Sequence, residues 1–210
     1  MKKVFACMLI LSAAALLTSS CGTSSPSRYY LLKSGENIPV NTIHHPHLEN
    51  LRVVVAPTII PRHLDRPVLI SFSSEHELAY SEFERWGEPL GDNVTRVLIE
   101  NLSQLLPGAH VMRKGLIEER AADFIIRPEL AALRIEPGSE LFAEMRWNII
   151  NSKSYASAAI GSYARSVPLN DEEEVTAVSA ASDLLLEASR SLAAEFIEAS
   201  APAENSDPAL

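Results

Sequence analysis

Cysteine is nearly absent from this chain. Its 210 residues hold two, Cys7 and Cys21, both inside the first twenty-one positions. If that segment is an export signal cut before Cys21, and Cys21 is then modified, the mature chain keeps no free thiol and no disulfide. Thiolate catalysis and cysteine-based zinc sites are excluded on that reading. Signatures of other chemistries are missing too: there is no GxSxG nucleophile elbow, Walker loop, Rossmann glycine pattern or HExxH helix. Basic charge is in deficit, with 18 Lys and Arg against 27 Asp and Glu. Loss of Lys2 and Lys3 with the signal would carry the formal charge from −9 to about −11. Nucleic acid needs a basic surface and is excluded as a partner. Broad adhesion to anionic lipid headgroups is disfavoured on the same ground. Beyond the N-terminus no apolar run approaches the roughly 20 residues that span a bilayer.

What the N-terminus does contain is MKKVFACMLILSAAALLTSSC. Lys2 and Lys3 form a positive leader, Val4 to Leu17 an apolar core, and small polar residues lead into Cys21. LTSSC resembles a bacterial lipobox, with Thr18 where leucine is usual. The resemblance implies cleavage before Cys21, a diacylglycerol on its sulfur and a third acyl chain on its amino group. At about 0.8 kcal/mol per buried methylene, one chain holds reversibly and several nearly permanently. The alternative is an ordinary cleaved signal with an incidental cysteine. Gly22 stands where aspartate commonly marks retention at the inner membrane, so the expected destination is the periplasmic face of the outer membrane.

The expected organisation is a signal peptide over 1–20, a lipidated tether over 21–27, one domain over 28–199 and a disordered tail over 200–210. RYYLL reads as a first strand, and residues 34–50 as a connection broken by Gly35, Pro39 and Pro46. LRVVVAP is apolar on both faces, as a central strand would be. VLISF and ELAYSEF pair as a hairpin across Ser73 to His76. Leu90, Val94, Val97, Leu98, Leu102 and Leu105 recur at steps of three and four, predicting a helix over about 88–106 ended by Pro107 and Gly108. Asn93 and Asn101 open nominal glycosylation triplets within that helix and carry no weight.

ADFIIRPEL and AALRIEP predict one long strand interrupted near Pro128, or two strands joined there. ELFAEMRWNII alternates with Leu141, Ala143, Met145, Trp147 and Ile149 on one face. SAAIGSYARSV, with its small residues and Gly161, reads as a weaker or edge strand. A last helix starts near Asp171, with Asn170 and Glu173 at capping-box spacing and the run DEEE in its first turn. Its stripe runs through Val175, Val178, Ala181, Leu185, Ala188, Leu192 and Phe196. The predicted class is α/β or α+β, a single mixed sheet packed by two long helices in about two layers.

Two segments stand apart. APTIIPRHLDRP sets Pro57, Pro61 and Pro67 around Arg62, His63, Asp65 and Arg66, which can hold a rigid exposed shape. SEFERWGEPLGDN places Phe83 and Trp86 among Glu82, Glu84, Arg85 and Glu88 just before the first helix. Trp86 either closes a sheet edge from inside or anchors a protein contact beside a guanidinium. His44, His45 and His47 could form a local metal site, but Pro46 breaks their spacing and a solvated loop accounts for them, so no metal or cofactor is assigned. Glu82, Glu84 and Glu88 read as surface acids, and no catalytic residue is assigned.

SRYYLL, VVVAPTIIPRHLDRPVLI, EFERWGEPLGDNVTRVLIENLSQLLP and RWNII together resemble the auxiliary lipoproteins of ABC-type transport systems, specifically the paraquat-inducible protein C group. The pairing of IPRHLDRP with FERWGEPL carries most of the specificity. The resemblance implies a lipoprotein without catalysis that works beside inner-membrane and periplasmic proteins with MCE domains, which build lipid conduits between membranes. It implies that Cys21 is the anchor. The characteristic region would be Pro61, Asp65, Arg66 and Pro67 with Arg85, Trp86, Glu88, Pro89 and Leu90, for which a partner-contact role is our own reading. Implied partners are the membrane, through the acyl chains, a periplasmic MCE-domain protein with its inner-membrane complex, and further copies of the chain. A freestanding lipid-binding carrier, which would need an enclosed apolar cavity, and an envelope scaffold are the alternatives.

Overall fold

The computed structural model describes residues 25–36, 45–117 and 119–202. The predicted signal, Cys21, His44 and the end of the tail lie outside them. Among the described residues ten elements of regular α or β structure follow one another. The strands are β1 (Arg28–Tyr30), β2 (Arg52–Val55), β3 (Val68–Ser74), β4 (Glu77–Trp86), β5 (His110–Arg113), β6 (Phe124–Glu136), β7 (Glu140–Asn151) and β8 (Ser157–Pro168). Helix α1 (Leu90–Leu105) lies between β4 and β5, and α2 (Glu174–Ser200) closes the chain.

The strands form two sheets, where the sequence predicts one. Five pair in the order β5-β2-β6-β7-β8 and three in the order β1-β4-β3. The class is α+β. The hairpin of β3 and β4 and the strand RYY form as predicted, but β1 takes β4 as a parallel neighbour through Arg28–Glu84, Tyr29–Arg85 and Tyr30–Trp86. Period-two alternation fixes which face of a strand is apolar and is silent on which strand it pairs with.

β2 is parallel to both neighbours, and Val53, Val54 and Val55 are fully buried, as a strand covered on two faces requires. β6 is one strand, and Pro128 lies within it opposite Trp147. Ile126 and Pro128 carbonyls accept from Ala56 and Ile59, at 2.9 and 3.1 Å, so residue 128 points its backbone polar groups toward the side that β2 has left. The proline therefore removes no ladder bond. A bulge between Leu130 and Ala132 then changes the parity. Before it Phe124, Ile126 and Leu130 face the main core, and after it Leu133 and Ile135 do.

β6, β7 and β8 make an antiparallel meander with β8 on the edge, as its small residues predict. The five predicted inward residues of β7 are all buried. Both helices join this face in one core, with the Phe124 and Phe196 rings edge to face at 5.2 Å. The predicted helical stripes hold except at Val175, which is exposed, and Leu105, which is partly covered. Helix α2 begins at Glu174 and does not use the predicted capping box. Asp171 accepts from the Glu173 N–H and from the Thr176 hydroxyl, both at 3.0 Å.

Candidate functional site

The two segments singled out by sequence meet at one end of α1. The connection that leaves β2 is clamped on the helix by buried threonines. Thr95 Oγ1 accepts from the Thr58 N–H at 2.9 Å, touches Thr58 Oγ1 at 2.9 Å, and donates to the Gly91 carbonyl at 2.7 Å. Gly91 permits this approach, since a Cβ there would stand 3.2 Å from the Thr58 carbonyl oxygen. Further along, Leu64 turns back to donate to the Pro61 carbonyl, and its side chain is buried. The Trp86 N–H then donates to the Pro67 carbonyl at 3.0 Å, and the Gly87 N–H to that of Tyr30 at 2.8 Å.

This stitching brings Asp65, Arg66, Pro67, Trp86, Gly87, Glu88 and Pro89 around a surface groove of about 300 Å³. Six of the nine predicted contact residues line it. Pro61, Arg85 and Leu90 do not. Leu90 is 1 % exposed and belongs to the core, and Arg85 sits in the β4 ladder between Val68 and Tyr29. Trp86 is 7 % exposed, so its ring closes the core from within while its edge floors the groove.

The walls are electrostatically uneven. Asp65 and Arg66 are exposed, with no ion pair to a neighbour among those found in the described residues. Glu88 is engaged: Arg96 donates to its Oε1 at 3.0 Å, to Glu100 Oε1 at 3.1 Å, to Asn93 Oδ1 at 2.9 Å and to the Leu32 carbonyl at 3.1 Å. Burial lowers the Arg96 pKa, but the Glu100 and Glu88 carboxylates outweigh it and the net direction is up. Behind the groove, burial and then Glu84 push the Tyr30 phenol up to about 12. Its hydroxyl and Glu84 Oε2 are both buried and stop short of a hydrogen-bonding geometry.

Several structural polar residues escaped the sequence reading. Asn93 and Asn101 are fully buried. Asn101 donates to Ser189 Oγ and accepts from the Gly35 N–H, both at 3.0 Å, joining α1, α2 and the chain after β1. Their signal was available as amides eight residues apart inside an apolar stripe. Of the histidines, His45 and His47 rings lie edge to face at 5.7 Å, and His47 Nε2 donates to the Ile197 carbonyl at 3.1 Å. That bond docks a loop on α2. An apolar cavity between sheet and helices, lined by Leu130, Leu133, Met145, Leu184 and others, measures about 20 Å³. That is room for about one water and none for an acyl chain. No helix of the described residues is long and apolar enough to cross a membrane.

Residues 30–193 match the family of the ABC-type transport auxiliary lipoprotein component. The chain belongs to the ABC-type transport auxiliary lipoproteins. The matched span takes in β2 to β8, α1, the whole groove, the end of β1 and α2 as far as residue 193. These auxiliary lipoproteins are a class of transport accessory and not of enzyme, associated with a transport system and held at an envelope membrane. Two crystal structures share the auxiliary lipoprotein's fold. One is of an uncharacterised protein, 15 % identical with a TM-score of 0.67 over 82 % of this chain and 99 % of that one. The other is of a Xanthomonas campestris protein of family DUF330, 13 % identical with a TM-score of 0.68 over 82 % and 96 %. No curated protein matches.

Proposed function

We propose that this auxiliary lipoprotein is anchored through acylated Cys21 on the periplasmic face of the outer membrane and docks the distal end of an MCE-type lipid conduit there. The observation that carries this reading is the family match over residues 30–193. A duct between two membranes needs its outer end fastened, because acyl chains that crossed water would lose about 25 cal/mol per Å² of apolar surface. A lipid-anchored protein provides that fastening without spanning the bilayer. The groove of Asp65, Arg66, Pro67, Trp86, Glu88 and Pro89 is the proposed contact, in one copy or several. Its prolines and backbone stitching hold it in one shape before any partner arrives, which limits the entropy lost on binding. The apolar pocket between sheet and helices, at about 20 Å³, is too small to carry an acyl chain, which supports docking over the carrier alternative.

Crosslinking in intact envelopes tests this. A photoreactive residue in place of Arg66 should capture an MCE-domain protein, and one in place of Arg146, on the outer face of β7, should not. Recovery of stoichiometric lipid with no MCE-domain adduct would instead support the carrier.

A further inference from the structure

β1 and the residues after it alternate buried and exposed side chains, yet both faces are apolar. Tyr30 and Leu32 are buried, while Tyr29 and Leu31 are 68 % and 48 % exposed. Val175, in the first turn of α2, is 49 % exposed. The three border a groove of about 440 Å³ between residues 29–36 and the outer side of α2. Its rim is fixed. A Cβ on Gly87 would stand 3.1 Å from Leu31 Cδ2, so the leucine lies against bare backbone. The Lys33 N–H donates to Ser182 Oγ at 3.2 Å and the Gly35 N–H to Asn101 Oδ1 at 3.0 Å. A strip held this firmly with its apolar side outward gains stability only when something covers it.

The position along the chain indicates what covers it. Cys21 precedes Arg28 by seven residues. A fully extended chain reaches at most about 3.6 Å per residue, so β1 starts within about 25 Å of the acylated sulfur. The apolar strip begins one residue later. Lys33 on this groove is outnumbered by Glu36 and Asp183, which leaves no positive surplus to seek anionic headgroups. What remains is a tyrosine and two aliphatic side chains, a composition that suits the boundary between headgroups and acyl chains.

We propose that Tyr29, Leu31 and Val175 rest on the lipid surface beside the anchor and set the orientation of the body on the membrane. This rests on the anchoring of Cys21 proposed above. The acyl chains supply the affinity, and the strip restricts which way the domain faces.

The test uses the mature lipidated protein on phosphatidylcholine vesicles containing a nitroxide-labelled lipid. Single cysteines replace Tyr29, Leu31 or Val175, with Tyr80→Cys on β4 and Ile160→Cys on β8 as controls, and each carries a nitrobenzoxadiazole dye. The dye should lose most of its fluorescence at 29, 31 and 175 and keep it at 80 and 160. Equal quenching at all five sites, or none at the first three, in protein that floats with the vesicles overturns the orientation and leaves the anchor standing. If the parent protein takes up dye at Cys21 and stays behind when vesicles float, the anchor fails and the proposal with it. Tyr29→Ser with Leu31→Ser should abolish quenching of a dye at 175 without changing flotation; unchanged quenching overturns the proposal. A concentration-dependent blue shift at these sites without lipid assigns the face to a second copy and also overturns it.

Discussion

Trp86 combines two roles that the sequence separates. At 7 % exposure it fills core volume, and its edge also floors the groove between Pro67 and Pro89. Trp86→Ala is expected to cost about 3 kcal/mol, at the low end for a large aromatic because the groove side is already open. For a domain of this size that is a fall of about 10 °C in thermal midpoint, measurable by circular dichroism. Partner capture should fall in the same variant; an unchanged midpoint would mean that the ring is not a core residue. Asp123 offers a residue-scale prediction of a different kind. Burial raises its pKa, but the backbone N–H of Arg52 at 3.0 Å and its guanidinium outweigh that, so the net direction is down. The unfolded chain, with an ordinary pKa of about 3.9, therefore binds the proton more readily. It follows that the carboxylate's contribution is complete above that value and is lost as pH falls through the lower folded pKa. Asp123→Asn should cost about 1 kcal/mol at pH 7, discounted for the half-exposed Arg52. Urea melts of the two proteins should converge as the pH drops below about 4; a constant difference would remove Asp123 from the acid response.

Between elements, the firmest local link is the clamp of the Pro57–Pro67 connection on α1. Thr95→Val keeps the shape of the side chain and removes the acceptor for the buried Thr58 N–H. An unsatisfied buried donor costs about 1–3 kcal/mol, so a loss in that range is expected, with faster protease cleavage between Ile59 and Arg66. Cleavage at the parent rate would show that the prolines alone hold the connection. The helices were the most legible elements, because a 3.6-residue stripe is a local property that Leu90 to Leu102 and Val178 to Phe196 carry in full. The groove was legible for a related reason. Proline and glycine restrict the backbone where they stand, so IPRHLDRP and WGEP announced a shaped surface before any contact was known. That β1 joins the predicted hairpin to make a separate sheet was not legible, because β1 finds β4 across more than fifty residues and no local pattern encodes that choice. Nor was the use of Gly161. It reads as weakness in an edge strand, whereas a Cβ there would overlap the Glu195 carboxylate that accepts from the Trp147 indole at 2.7 Å. The small residue makes room for a bond between β7 and α2.

At the scale of the whole molecule, the body and its attachment are separable in energy. Among the described residues the groove, both sheets and both helices begin at or after Arg28, and the core they share starts at Tyr30. The formal charge of −9 gives the surface no general attraction to anionic lipid. Tyr29, Leu31 and Val175 offer too little apolar surface to hold the protein down unaided, since even one myristoyl chain binds only marginally. Attachment should therefore depend on Cys21 alone. Cys21→Ala is expected to move the protein from the membrane pellet to the soluble periplasmic fraction while its thermal midpoint stays within about 1 °C of the parent, since the described core starts nine residues further on, at Tyr30. Partner capture measured in dilute extract should survive, whereas capture in intact cells should weaken as the protein loses its confinement to one surface and with it a high effective concentration. If the variant stayed with the membrane, a second attachment would have to exist in the folded body, and the orienting strip beside β1 would be the first place to look for it.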